Sequence, residues 1–114
     1  MKTDPVSITR LYFECANLAD FTAIERMLHA EATYSSAHTG LYFGVKDIMR
    51  MMRGFFANHQ SLVWHIDDCQ LTSPHITEVT FTCLAVDQQG QQVVRNGTER
   101  LVVVDGLIRH IEVR

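Results

Sequence analysis

Val102-Val103-Val104-Asp105-Gly106-Leu107-Ile108 is the stretch that decides the fold class. Two apolar, largely β-branched runs flank an Asp-Gly pair. A two-residue type I′ turn needs positive φ at both central positions, which Asp and Gly tolerate, so this stretch predicts a β-hairpin. Working backwards, residues 62–71, 76–86, 91–104 and 107–113 are rich in β-branched residues and lack helix caps, which predicts four strands. Ser73-Pro74, Gln89-Gly90 and Asp105-Gly106 separate them. Asn96-Gly97 reads as a bulge inside one long strand, because Val93 to Arg95 alone is too short to pair well.

Upstream of residue 60 the period changes. Ile8, Leu11, Tyr12, Cys15 and Leu18 recur at helical spacing, predicting one face of a helix of about fifteen residues. Pro5 suits its first turn and Asp4 its N-cap. Asp20 reads as a second N-cap, before a short helix burying Phe21, Ile24, Met27 and Leu28. Residues 31–36 read as a short strand, and Gly40 and Gly44 bracket a loop. A third helix then carries Val45, Ile48, Met49, Met52, Phe55 and Phe56 on one side, with Asp47 at the positive end of its dipole. Helices followed by a meander predict an α+β domain spanning residues 1–114. Three N-terminal helices pack on one face of a strongly curved antiparallel sheet, a cone whose mouth suits a ligand.

Composition excludes several classes of function. The chain has 114 residues, 46% hydrophobic and 20% charged, with a formal net charge of −3. That is enough chain for one core, and the charge gives no electrostatic footing for nucleic acid. No apolar run reaches the length of a membrane span, so no membrane partner is expected. Cys15, Cys69 and Cys83 form an odd, unpatterned set, which suits free thiols in the cytoplasm. The six histidines lack the i, i+4 spacing of a helical zinc motif, and no metal or other cofactor is expected.

The element order and four local patterns resemble the nuclear transport factor 2-like superfamily, the cystatin-like cone fold. The patterns are Tyr12-Phe-Glu-Cys-Ala-Asn-Leu-Ala-Asp20, Leu28-His-Ala-Glu-Ala-Thr-Tyr34, Gly40-Leu-Tyr-Phe-Gly44 and Val104-Asp-Gly-Leu-Ile108. Ketosteroid isomerases and polyketide-cyclase-like proteins share this frame, as do non-catalytic binding and dimerisation modules. The isomerases offer the fullest correspondence of residues. The resemblance implies that Tyr12 matches the tyrosine, and Glu99 the late-strand acid, that together bind a dienolate oxygen. Ser36 falls where that family has its aspartate base, and a lone serine cannot remove a carbon-bound proton. His38, two residues on, stands as the substitute base if its loop folds inward.

Read on its own, Glu99 shares a strand face with Leu101 and Val103 by the two-residue period. A carboxyl in such company has a raised pKa and donates a proton, unless Arg95, Arg100 or Arg109 forms an ion pair with it. Tyr12 lies on a buried stripe, where its hydroxyl faces either a ligand or a backbone carbonyl. Tyr34, His38 and Tyr42 cluster at the expected mouth, either contacting a ligand or covering the sheet end. Phe55, Phe56, Trp64, Phe81, Leu101, Val103, Ile111 and Val113 are the expected walls. His65 is the other candidate to face Glu99. Asp67 and Asp68 read as a solvated strand end, Cys15 and Cys83 as core, and Met27, Met49 and Met52 as filler with Met51 off the stripe.

Two functions fit. One is a cofactor-independent isomerase, dehydratase or cyclase in which Tyr12 and Glu99 polarise a carbonyl or phenol oxygen. The other is a ligand-binding or dimerisation module without acid–base chemistry. Either takes a small apolar or aromatic molecule. Either also predicts a homodimer, since the apolar run 101–104 needs cover on both faces of the sheet and helices cover only one.

Overall fold

The computed structural model describes residues 3–114. In chain order the elements are α1 (Pro5–Asn17), α2 (Phe21–Met27), β1 (Leu28–Ser36), β2 (Gly40–Phe43), α3 (Val45–Ala57), β3 (His59–Ser73), β4 (Ile76–Asp87), β5 (Gln92–Val104) and β6 (Leu107–Val113). Asp4 caps α1 by accepting from Ser7 N at 3.0 Å, with Pro5 opening the helix. Asp20 caps α2 by accepting from Ala23 N at 3.1 Å. The β5–β6 hairpin turns on Asp105 at φ +52° and Gly106 at φ +79°, the positive pair that Asp-Gly is suited to.

The six strands form one sheet in the order β2-β1-β6-β5-β4-β3. It is mixed rather than wholly antiparallel, because β1 runs parallel to β6. The segment between Gly40 and Phe43 is not a loop: it is β2, antiparallel to β1, with Tyr34 opposite Tyr42. Leu28 belongs to β1 rather than α2. Asn96-Gly97 does lie inside one long strand, but with no bulge there, since β4 and β5 stay in unbroken register from Ile76↔Val102 to Val86↔Gln92. Register shifts fall elsewhere: in β3 between His59 and Ser61, Ile66 and Asp68, and Leu71 and Ser73, in β1 between Leu28 and Thr33, and in β5 against β6 between Val102 and Val103. Such shifts bend the strand.

Helix α1 packs against β3, β4 and β5, and α3 against β1, β2 and β3. The buried side of α1 is Ile8, Thr9, Tyr12, Phe13, Cys15 and Ala16. That stripe is wider than, and rotated from, the expected one. A helix seated in a concave sheet is covered on more than one side, so Phe13 and Ala16 are enclosed while Leu11 faces outward and Leu18, past the last turn, is 77% exposed. Asn17 fixes the end of α1 to the edge strand. Its Nδ2 donates to Trp64 O at 2.9 Å and its Oδ1 accepts from Trp64 N at 2.7 Å, which satisfies backbone groups an edge would leave open. Gly44 caps α3 at φ +90°. Of the expected α3 stripe, Ile48, Met49 and Met52 are buried, while Phe55 and Phe56 are only partly so.

Candidate active site

Between the helices and the concave face of the sheet lies a cavity of about 100 Å³. About a tenth of that volume suffices for one water. Its walls are mostly apolar, from Phe13 and Ala16 of α1, Ile24 of α2, Met51, Met52, Phe55 and Phe56 of α3, and Leu62, Trp64, Phe81, Cys83, Ala85 and Val113 of the sheet. The rings are organised rather than scattered. Phe56 lies 5.6 Å from Trp64 and 5.0 Å from Phe21, and Phe13 is 6.3 Å from Phe81. Phe81 lies opposite Gly97 on the neighbouring strand. A Cβ at Gly97 would come within 2.7 Å of the Phe81 ring and of Arg114 O, so only glycine lets that ring approach β5 so closely.

Three oxygen-bearing side chains enter this apolar space. Glu99 is 4% exposed, on the same inward face of β5 as Leu101 and Val103. Among the described residues it has neither an ion pair nor a hydrogen bond. Arg100 instead pairs with Glu78 at 2.8 Å and Glu112 at 3.8 Å, and its one-residue offset from Glu99 puts it on the outer face. Burial raises the Glu99 pKa from 4.5 to about 8, so the group is a carboxylic acid at neutral pH. Tyr12 and Tyr34 are the other two. Burial pushes both phenols well above their ordinary value, and the charge of an ionised Glu99 pushes them further. Neither hydroxyl has a hydrogen-bond partner among the described residues. Buried hydroxyls and carboxyls usually have one, so three unpartnered groups on one cavity mark a place for an oxygen from outside the chain.

Ser36, His38, Thr39, Arg95, Asn96 and Arg114 form the polar rim. The Ser36 hydroxyl accepts from the backbone N–H groups of His38 at 3.1 Å and Thr39 at 3.3 Å. That ties the loop into a turn and brings His38 to the mouth. Tyr42 stands behind the wall, its ring 6.1 Å from Tyr34 and its hydroxyl donating to Thr39 O at 2.7 Å. Leu101, Val103 and Ile111 share the inward face but are fully buried in the core beneath the helices and do not line the cavity. His65 is on the outer face, bonded to Asp67 at 3.0 Å, and does not face Glu99. Asp67 is held below the usual carboxylate range by hydrogen bonds from Thr82 and His65. Among the described residues no three His, Cys, Asp or Glu side chains gather as a metal site would require.

Sequence reasoning missed Phe13, Met51 and Arg95 as lining residues. Phe13 and Met51 each sit beside a stripe that was drawn too narrow. Arg95 was legible, since it precedes Glu99 by four residues and so shares its strand face.

Solved structures show the same frame at low identity. A nuclear transport factor 2-like protein of unknown function from Burkholderia pseudomallei superposes with a TM-score of 0.88 at 12% identity, covering 100% of this chain and 91% of that one. A Mycobacterium tuberculosis protein crystallised with estradiol-17beta-hemisuccinate gives a TM-score of 0.85 at 12% identity, covering 96% and 92%. A protein of ketosteroid isomerase-like fold from Catenulispora acidiphila, in complex with trimethylamine, gives 0.86 at 11%, covering 94% and 83%. No curated protein matches in sequence. Residues 9–111 match the SnoaL-like domain, and the chain belongs to that family.

Proposed function

We propose that the protein takes up a small apolar or aromatic molecule and polarises its carbonyl or phenol oxygen between the Glu99 carboxylic acid and the Tyr12 hydroxyl, with Tyr34 as a third donor. The observation that carries this reading is the group of three unpartnered oxygen-bearing side chains on one apolar cavity. Neutral donors in an apolar-walled cavity, once a ligand fills it, stabilise charge that develops on an oxygen, and do so more strongly than in water. Such a site serves cofactor-independent isomerisation, dehydration or cyclisation through an enolate. In that chemistry Tyr12 and Glu99 hold the oxygen and His38, at the mouth, moves the proton. The estradiol derivative bound by one fold relative supports a ring-bearing ligand.

A second reading, binding without turnover, is favoured by Ser36. Its hydroxyl already receives two backbone N–H groups and it stands where the resemblance expects a carboxylate base. Both readings include a homodimer through the outer sheet face, where Val63, Leu84 and Val94 form an exposed apolar row across three strands. A strict monomer in sedimentation at micromolar concentration overturns that part. Three free thiols support a reducing, cytoplasmic setting.

The test is titration with 2-naphthol, read by fluorescence. Tyr12→Phe is expected to weaken binding about tenfold, the value of one hydrogen bond to an oxygen carrying partial charge. Binding to the unmodified protein is expected to fall above pH 8, and Glu99→Gln to abolish that fall. Binding that is indifferent to Tyr12→Phe and to pH refutes the reading. Conversion of a β,γ-unsaturated ketone, lost in Tyr12→Phe and His38→Ala, selects the enzyme. Binding without conversion selects the module.

A further inference from the structure

We propose that the mouth of the cavity, through Arg95, receives a carboxylate, so that the ligand is a ring compound with a carbonyl or phenol oxygen at one end and an acid at the other. This inference rests on the reading of Glu99 and Tyr12 above. Arg95 lines the cavity at its exposed rim and, among the described residues, has no ion pair and no hydrogen bond. The other rim arginine, Arg114, is already engaged by Glu112 at 3.2 Å. Glu99 is the one side-chain carboxyl among the described lining residues, and it is held as a neutral acid. The cavity therefore carries a guanidinium at one end with no side-chain carboxylate among the described lining residues to answer it. Apolar walls of low dielectric extend that field into the cavity.

The spacing fits one elongated ligand. Arg95, Gly97 and Glu99 share the inward face of β5, four residues from end to end, or about 13 Å of strand. Between them Gly97 has no side chain, and the Phe81 ring takes the place its Cβ would fill. A flat ring system resting against Phe81, which lines the cavity, would have its oxygen at Glu99 and Tyr12 and its far substituent at Arg95. A guanidinium fork matches a carboxylate with two parallel N–H donors.

Affinities of 2-naphthol and 6-hydroxy-2-naphthoate separate this inference from the reading beneath it. The unmodified protein is expected to bind the hydroxynaphthoate at least fivefold more tightly than the naphthol. That preference is expected to shrink with added salt. Arg95→Gln should narrow it to under twofold, Arg95→Lys should restore part of it, and Arg95→Glu should reverse it. The side chain is exposed, so these variants are expected to fold. A naphthol that binds while the carboxylate brings no advantage overturns the inference and leaves the Glu99 site standing. A preference that persists in Arg95→Gln also overturns it. If neither compound binds, the underlying reading fails and this one falls with it.

Discussion

Replacing Glu99 by Gln should change not the stability of the protein so much as its pH dependence. In the folded chain Glu99 keeps its proton to about pH 8, whereas its ordinary value is 4.5. Below pH 4.5 both folded and unfolded states hold the proton, and the acid imposes no ionisation penalty. Between the two values only the folded state holds it, so unfolding releases a proton and rising pH favours the unfolded chain. Above pH 8 both states are ionised and the loss is complete. The interval spans about 3.5 pH units at about 1.4 kcal/mol each, so the full loss is about 5 kcal/mol. For a domain of this size that is a large share of total stability.

Glutamine keeps the shape and never ionises. Any constant cost of placing an amide there cancels from the pH dependence, as do the other titrating groups shared by both proteins. The assay is urea unfolding of the two proteins at half-unit steps from pH 4 to 9. The stability of the Glu99 protein minus that of Glu99→Gln is expected to decline steadily from pH 4.5 and level off above pH 8. A difference that stays flat across this range refutes a buried, unpartnered acid.

Two further substitutions test the frame around the site. Gly97→Ala should destabilise by about 1–3 kcal/mol, because its Cβ meets the Phe81 ring and Arg114 O at 2.7 Å; an unchanged urea midpoint contradicts the close packing of Phe81 against Gly97. Thr77→Val should be neutral or stabilising by about 1 kcal/mol, since the Thr77 hydroxyl is buried without a partner. Losing more than that would mean the hydroxyl is satisfied in solution.

Local chemistry accounts for what was legible beforehand. The caps Asp4 and Asp20 and the Asp105-Gly106 turn each act within four residues, so sequence shows them directly. The parallel pairing of β1 with β6 joins residues some 80 positions apart, and no short-range pattern carries that adjacency. β2 was hidden because three residues between glycines read as punctuation, and its pairing with β1 emerges only when the chain turns back on itself. In the site, strand alternation was enough to turn Glu99 inward, but not to tell how deep each inward residue lies. Leu101, Val103 and Ile111 face the same way as Glu99, and the helices close over them completely. Tyr42 is cross-strand from Tyr34, and its hydroxyl is spent on Thr39 O, a contact that follows from the unrecognised strand.

The account rests on Glu99 being a neutral acid aimed into a working cavity. Carboxyl-carbon NMR across a pH series, with the Glu99 signal assigned by its loss in Glu99→Gln, measures this directly. The account predicts a midpoint near 8 that moves when 2-naphthol is added. A midpoint at or below about 4.5, unmoved by ligand, is the ordinary value of a solvated or paired glutamate and contradicts the claim.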